Sequence, residues 1–163
     1  MSHRRLTPSA IRRRIVRQEC DNAALTEIRY TIASIINNHT HLEVMHRSLR
    51  GGGFDAADCE YLHIDNTAGE PICAFSGLNA LLNEARGRYV ILCHQDVRLM
   101  TNDRTDLDAR LAELEARDPA WALAGNAGGV SAGQLAVRIT DPHGANQSVG
   151  TFPARVMSLD ENF

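Results

Sequence analysis

The chain has 163 residues, of which 44% are hydrophobic and 23% charged, with a formal net charge of −3; this is the length of one domain, with enough apolar material for a core. No apolar run approaches the roughly 18 residues of a membrane span, and no apolar stretch follows the basic start as a secretory signal requires. Membrane-spanning and exported classes are therefore excluded, and the expected location is the cytoplasm, including the inner membrane face as a peripheral protein.

Residues 1–20 carry Arg4, Arg5, Arg12, Arg13, Arg14 and Arg17 against Glu19 alone, a balance of +5 against −8 for the remainder. Residues 1–28 read as a basic, largely helical, solvated N-terminal extension, and residues 29–163 as the folded domain. The extension's charge allows a peripheral membrane or oligomer contact. Without interleaved aromatics or a nucleic-acid module, it makes no case for nucleic acid. Cys20, Cys59, Cys73 and Cys93 are widely spaced and form no Cys-x-x-Cys pair, so free thiols are expected rather than disulfides or structural zinc.

Tyr30-Thr31-Ile32-Ala33-Ser34-Ile35-Ile36 is a β-branched, nearly continuous apolar run, as a strand buried on both faces should be. Leu42, Met45 and Leu49 then recur at helical spacing, and Gly51-Gly52-Gly53 closes that helix. Tyr61-Leu62-His63-Ile64 predicts a second strand. Ala74, Phe75, Leu78, Leu81, Leu82 and Ala85 predict an amphipathic helix stopped by Gly87. Tyr89-Val90-Ile91-Leu92-Cys93 predicts a third strand. The alternation with short connections predicts a right-handed, mostly parallel α/β sheet flanked by helices. Further on, Thr105-x-x-Asp108 reads as a capping box opening a helix. Trp121–Ala124, Gln134–Thr140 and Thr151–Leu159 read as additional β segments, with a turn around Asp141-Pro142-His143-Gly144.

In an open parallel sheet, ligands bind outside the carboxyl ends of the strands. All three early strands end in polar residues: Asn37 and Asn38, then Asp65 and Asn66, then His94, Gln95 and Asp96. Asparagine and aspartate are also ordinary turn formers, but three consecutive ends of this kind predict one convergent polar site. No glycine-rich dinucleotide fingerprint follows the first strand, and Gly51-Gly52-Gly53 follows a helix, so the site is not of the usual phosphate-loop type.

In order along the chain, Ser34-Ile35-Ile36-Asn37-Asn38, Ile64-Asp65-Asn66-Thr67, Gly77-Leu78-Asn79, Ala85-Arg86-Gly87-Arg88-Tyr89 and His94-Gln95-Asp96 resemble the front of the inverting, GT-A-fold glycosyltransferases of family 2. The resemblance covers about 70 residues, Tyr30–Leu99, and implies a GT-A-like, Rossmann-like fold that binds a UDP- or GDP-linked sugar donor. It implies Ser34, Asn37, Asn38, Asp65, Asn66 and Asn79 as nucleotide-binding residues. Asp96, with His94 beside it, is implied to hold Mn²⁺ or Mg²⁺. His94 replaces the first acidic residue of the family motif, which leaves a single carboxylate; phosphate oxygens and water would complete the ion's shell.

The implied reaction is a metal-assisted inverting displacement, in which a carboxylate deprotonates a hydroxyl of a glycan, lipid or protein acceptor. The family's base follows the sheet segment at which this chain ends, so the chain is expected to be incomplete at its C-terminus, with Asp160 and Glu161 as its acceptor-side carboxylates. The alternatives are a catalytically impaired nucleotide-sugar-binding or interaction domain and a nucleotidyltransferase-like enzyme. The second lacks its basic, glycine-rich loop at Asn37-Asn38-His39-Thr40. A Cys93–His94 nucleophile pair is disfavoured because neighbours in a strand point to opposite faces.

Overall fold

The computed structural model describes residues 6–19, 27–55, 57–125, 127–132, 134–139, 147–149, 155 and 158–159. Two compact units make up the chain, Met1–Asp106 and Leu107–Phe163.

The first unit is a layered α/β structure. Its elements are α1 (Pro8–Arg12), β1 (Ile15–Glu19), β2 (Tyr30–Ile36), α2 (His39–Gly51), β3 (Cys59–Asp65), α3 (Ala74–Glu84) and β4 (Tyr89–Leu92). The strands lie in the order β1-β3-β2-β4. β2 is parallel to both β3 and β4, while β1 runs antiparallel along β3. β2 and β3 are almost wholly buried, as their apolar runs require of strands covered on both faces.

Alternation of side chains divides the core into two layers. Ala33, Leu62 and Ile64 meet Ile11 of α1, Ile72, and Leu81 of α3 in one cluster. The opposite face holds Tyr30, Ile32 and Tyr61, with Tyr30 against Phe54 at 5.4 Å between ring centroids. There α2 packs through Leu42, Met45, His46 and Leu49, the i, i+3, i+4, i+7 stripe. Asn38 caps α2, its side chain accepting from the backbone N–H of Thr40 at 2.9 Å and of His41 at 3.2 Å. Gly52 and Gly53 end it. Gly53 has φ +91°, which favours glycine, and a Cβ on Gly52 would collide with the Leu99 side chain.

The α/β class, the mostly parallel sheet flanked by helices and the extra β segments towards the C-terminus are as expected. The N-terminal segment holds more than a helix. After α1, with Thr7 as its cap and Pro8 at its first turn, the chain enters the sheet as β1, paired from Ile15↔Ile64 to Glu19↔Glu60.

From Leu107 onward the second unit contains most of α4 (Arg104–Arg117) and an antiparallel sheet in the order β7-β6-β5-β8. Its strands are β5 (Ala127–Ser131), β6 (Gln134–Ile139), β7 (Gln147–Val149) and β8 (Ser158–Leu159). The start of α4 is not the Thr105/Asp108 box. Asp103 accepts from the backbone N–H of Thr105 and Asp106 at 2.7 and 3.2 Å, and Asp106 accepts from the Asp103 N–H at 3.0 Å. The reciprocal box is therefore Asp103/Asp106, beginning nearer the preceding turn. Trp121–Ala124 is not a strand: it has no ladder partner among the described residues, and Leu123 is 64% exposed. The expected turn at residues 141–144 lies outside the described residues.

Candidate functional site

The parallel strands run in the order β3-β2-β4: the chain passes from β2 through α2 to β3 on one side, then crosses back through α3 to β4 on the other. This creates a switch point between the carboxyl ends of β2 and β4, where open α/β sheets place their ligands. Asn37 and Asn38 follow β2 there, and Gln95 lies in the turn after β4. The backbone N–H groups of Asn37 and Asn38 both donate to Gln95 Oε1, each at 2.9 Å, and Gln95 Nε2 donates to Asn37 Oδ1. Two adjacent main-chain donors thus converge on one oxygen at the head of the 13-residue helix α2, an arrangement that suits an anionic or carbonyl oxygen.

Asp65 ends β3 on the other side of β2. Its Oδ1 accepts from the Thr67 N–H at 2.7 Å and the Thr67 hydroxyl at 2.6 Å, and its Oδ2 lies 3.3 Å from His39 Nε2. The Thr67 donors, hydroxyl first, and then the His39 and His63 charges hold the Asp65 carboxyl below the usual carboxylate range. Threonine, histidine and aspartate meet here without forming a relay. Thr67 Oγ1 and Asp65 Oδ2 approach the same ring nitrogen of His39, at 3.4 and 3.3 Å, whereas hydroxyl activation needs the carboxylate on the opposite nitrogen. The cluster is a polar surface suited to binding.

The other expected nucleotide-binding residues take different places. Asn66 is tied into its own loop: its side chain accepts from Ile72 N–H at 3.0 Å and donates to Ile72 O at 2.9 Å. The Asn38 side chain is spent on the helix cap. Ser34 is buried one layer below the edge, opposite His63 in register. Ser34 Oγ and His63 Nδ1 have no hydrogen-bond partner among the described residues. Burial holds His63 below its ordinary value, the Asp65 charge opposing and the His39 charge adding to this. Asn79 lies on the exposed side of α3, five residues past the helix start and so roughly 7 Å down its axis. Asn37 and Asp65 are thus the expected residues that keep side chains at the edge.

His94 and Asp96 are exposed in the turn after β4. Among the described residues, no group of three or more His, Cys, Asp or Glu side chains could hold a metal ion. Asp96 and His94, the residues expected to hold manganese or magnesium, thus have no third protein donor of these types beside them among the described residues. Asp160 and Glu161 lie outside the described residues. The Cys93 thiol sits 3.7 Å from Met45 Sδ, and burial pushes it up to about 11, which leaves it un-ionised and unreactive.

Sequence reasoning left two residues out of the site. Gln95 was visible between His94 and Asp96, but only the switch-point geometry shows that it, of the three, reaches back to Asn37 and Asn38. Arg14 carried no local signal, because its partners lie 51 to 56 positions away. Its guanidinium lies over the loop after β3. Arg12 pairs with Glu84 at 2.6 Å, and Arg17 donates to Glu60 and to Glu84 O. Arg12, Arg14 and Arg17 are therefore used inside the chain rather than forming a solvated leader, while Arg4 and Arg5 lie outside the described residues. Among the described residues, no helix is long and apolar enough to cross a membrane.

No protein-family model matches the chain. It is 34% identical over 140 residues to a protein of Fuscovulum blasticum named "ATP synthase subunits region ORF 6", an alignment covering 82% of this chain and 56% of that protein. The chain thus spans little more than half the length of this relative. A relative named for ATP synthase overturns the family 2 glycosyltransferase reading. The sugar-transferase activity, the UDP- or GDP-sugar donor and the glycan, lipid or protein acceptor fall with it, as do the nucleotide-sugar-binding and nucleotidyltransferase-like alternatives. Much of the resemblance lay in strand-end asparagines and aspartates, which the topology of any open α/β sheet favours whatever the chemistry.

Proposed function

We propose that the chain is a nucleotide-binding domain with an accessory role beside ATP synthase, taking an adenine nucleotide at the carboxyl edge of its parallel sheet. The observation that carries this is the pair of N–H groups on Asn37 and Asn38, aimed at one oxygen at the switch point. A phosphate oxygen would replace Gln95 Oε1 there, facing the positive end of the α2 dipole. Asp65, ending the neighbouring strand, would accept from a ribose hydroxyl, a role that acidic residues at this position play in nucleotide-binding sheets. The choice of base follows the relative's name. Cys59, Cys73 and Cys93 form no disulfide among the described residues, which suits the reducing cytoplasm.

Calorimetric titration with ADP, ATP and UDP tests the reading. Saturable adenine-nucleotide binding is expected, weakened about tenfold by Asp65→Ala. Gln95→Ala is expected to strengthen binding severalfold, because the ligand no longer displaces an internal acceptor. If neither heat nor an NMR shift appears at about millimolar nucleotide, the reading fails. A preference for UDP would remove the adenine assignment.

A further inference from the structure

Arg14 is a residue of the turn between α1 and β1 and belongs to no sequence motif, yet it spans the whole loop that follows β3. Its Nη1 donates to Glu70 O at 2.7 Å. Its Nη2 donates to Asp65 O, to Ala68 O at 3.1 Å and to Asn66 Oδ1 at 3.4 Å. Three of the four acceptors are main-chain carbonyls, so the contact reads the course of the loop rather than its side chains. The planar, forked guanidinium suits this, since a single cation can serve several carbonyls in fixed directions.

The loop has other ties. Asn66 N–H donates to Ile36 O at 2.7 Å, the Asn66 side chain joins both polar groups of Ile72, the Thr67 N–H and hydroxyl donate to Asp65 Oδ1 with the hydroxyl 3.4 Å from His39 Nε2, and Gly69 turns the chain at φ +78°. Residues 67–71 are exposed, so no buried apolar contact fixes them. Arg14 itself is held in place from behind. Its N–H donates to Ile11 O at 2.9 Å, Ile11 is 5% exposed in the core, and β1 begins at the next residue.

We infer that Arg14 is a positioning residue: it fixes the loop so that the Asp65 carboxylate presents to a ligand's ribose, and it makes the N-terminal segment part of the site. The mechanical part stands on the hydrogen bonds alone; the ligand part rests on the nucleotide reading. Each charge-assisted bond to a carbonyl is worth enough that losing the fork changes local opening by about tenfold or more.

The experiment is amide hydrogen exchange on the full chain, for wild type, Arg14→Ala, Arg14→Lys and the exposed neighbour Arg13→Ala, joined to titrations with ADP and 2′-deoxy-ADP. Arg14→Ala should speed exchange across residues 66–72 about tenfold, with Arg14→Lys between it and wild type. Residues 30–36 should stay protected throughout, which shows that the fold survives, and Arg13→Ala should match wild type. The ratio of ADP to deoxy-ADP affinity should fall towards one in Arg14→Ala, an effect that general loosening would not produce. Unchanged exchange at residues 66–72 overturns the clamp, and faster exchange with a preserved ribose preference overturns its link to Asp65. If wild type binds neither nucleotide, the nucleotide reading and the ribose link fail together, while the exchange result still decides whether Arg14 holds the loop.

Discussion

The two ends of the parallel sheet are built from the same kinds of polar residue and use them in opposite ways. At the amino end, Glu60 is completely buried. Its carboxylate accepts from the Thr31 hydroxyl at 2.7 Å, the Arg86 N–H at 2.8 Å and the Arg86 side chain, with Arg17 adding a further donor. Burial pushes this carboxyl up, but the donors from Thr31, Arg86 and Arg17 outweigh it and leave the group below its usual range. Nearby, Arg104 pairs with Asp58 at 2.5 Å, and Arg29, Arg88 and Arg104 lie 5.2 to 5.5 Å from the rings of Tyr30 and Tyr89. At the carboxyl end the bonds are exposed: Asp65 to its second neighbour Thr67, and Gln95 across the strand ends to Asn37 and Asn38. A buried charge must be fully partnered, because its desolvation is tolerable only when every lone pair is matched. An exposed one can exchange its partner for a ligand. The amino end is framework and the carboxyl end is replaceable.

That contrast can be broken most forcefully at Glu60. Glu60→Ala leaves two arginines and the Thr31 hydroxyl without their shared acceptor, and should cost about 3–5 kcal/mol in urea unfolding. Because the folded pKa is depressed, the carboxylate's contribution is present above the unfolded value and lost as pH falls through the folded one. A wild-type-like midpoint for Glu60→Ala would show that the network is not the framework described.

The next largest effect is acid sensitivity of the layer between the two ends. Burial first, then the charges of Arg50 and His63, lower His46 from 6.5 to about 4. His46 is therefore neutral when folded and takes up its proton more readily when unfolded. Its contribution to stability is full above pH 6.5 and is lost as pH drops towards 4, on the order of 2–3 kcal/mol. His46→Leu should flatten unfolding midpoints measured between pH 7 and 5. An unchanged slope would sink the assignment.

Gly87→Ala tests the close approach beside the Glu60 network. A Cβ there would lie 2.5 Å from the Thr31 backbone nitrogen, and its N–H donates to Thr31 Oγ1 at 2.8 Å. Thermal unfolding should report a loss of about 1–3 kcal/mol. The smallest effect is expected at the opposite end. Asp96→Ala changes an exposed residue in a turn and should leave stability within about 0.5 kcal/mol of wild type. A large loss there would mean that the carboxyl edge belongs to the framework just like the amino edge.

Much of the first unit was legible in the sequence. β2, α2, β3, α3 and β4 were all marked by apolar runs or helical stripes, because burial on both faces of a sheet or one face of a helix leaves a periodic record. β1 left none. Ile15-Val16-Arg17-Gln18-Glu19 has no clean alternation, Val16 is 42% exposed, and only pairing with β3 makes the segment a strand. Conversely, Trp121–Ala124 has the composition of a strand but no ladder partner among the described residues. Phe75 and Leu82, read as part of a buried stripe, are 80% and 46% exposed; of that stripe α3 buries Leu81, and beside it Gly77. The glycine allows the helix to approach Ile35 closely, which rotates the larger apolar residues outward.

The site divides in the same way. Sequence alone determined that polar residues gather at the strand ends, since strand length and topology dictate where turns fall, and from this it took Asn37, Asn38, Asp65, Asn66, His94, Gln95 and Asp96 together. It could not determine which polar groups were already spent. Asn66 on Ile72, Asn38 on its helix and Gln95 on two backbone donors are outcomes of where the chain folds back. The role of Arg14 depends on partners 51 or more residues away, and no local pattern records a bond between segments that only the tertiary structure brings together.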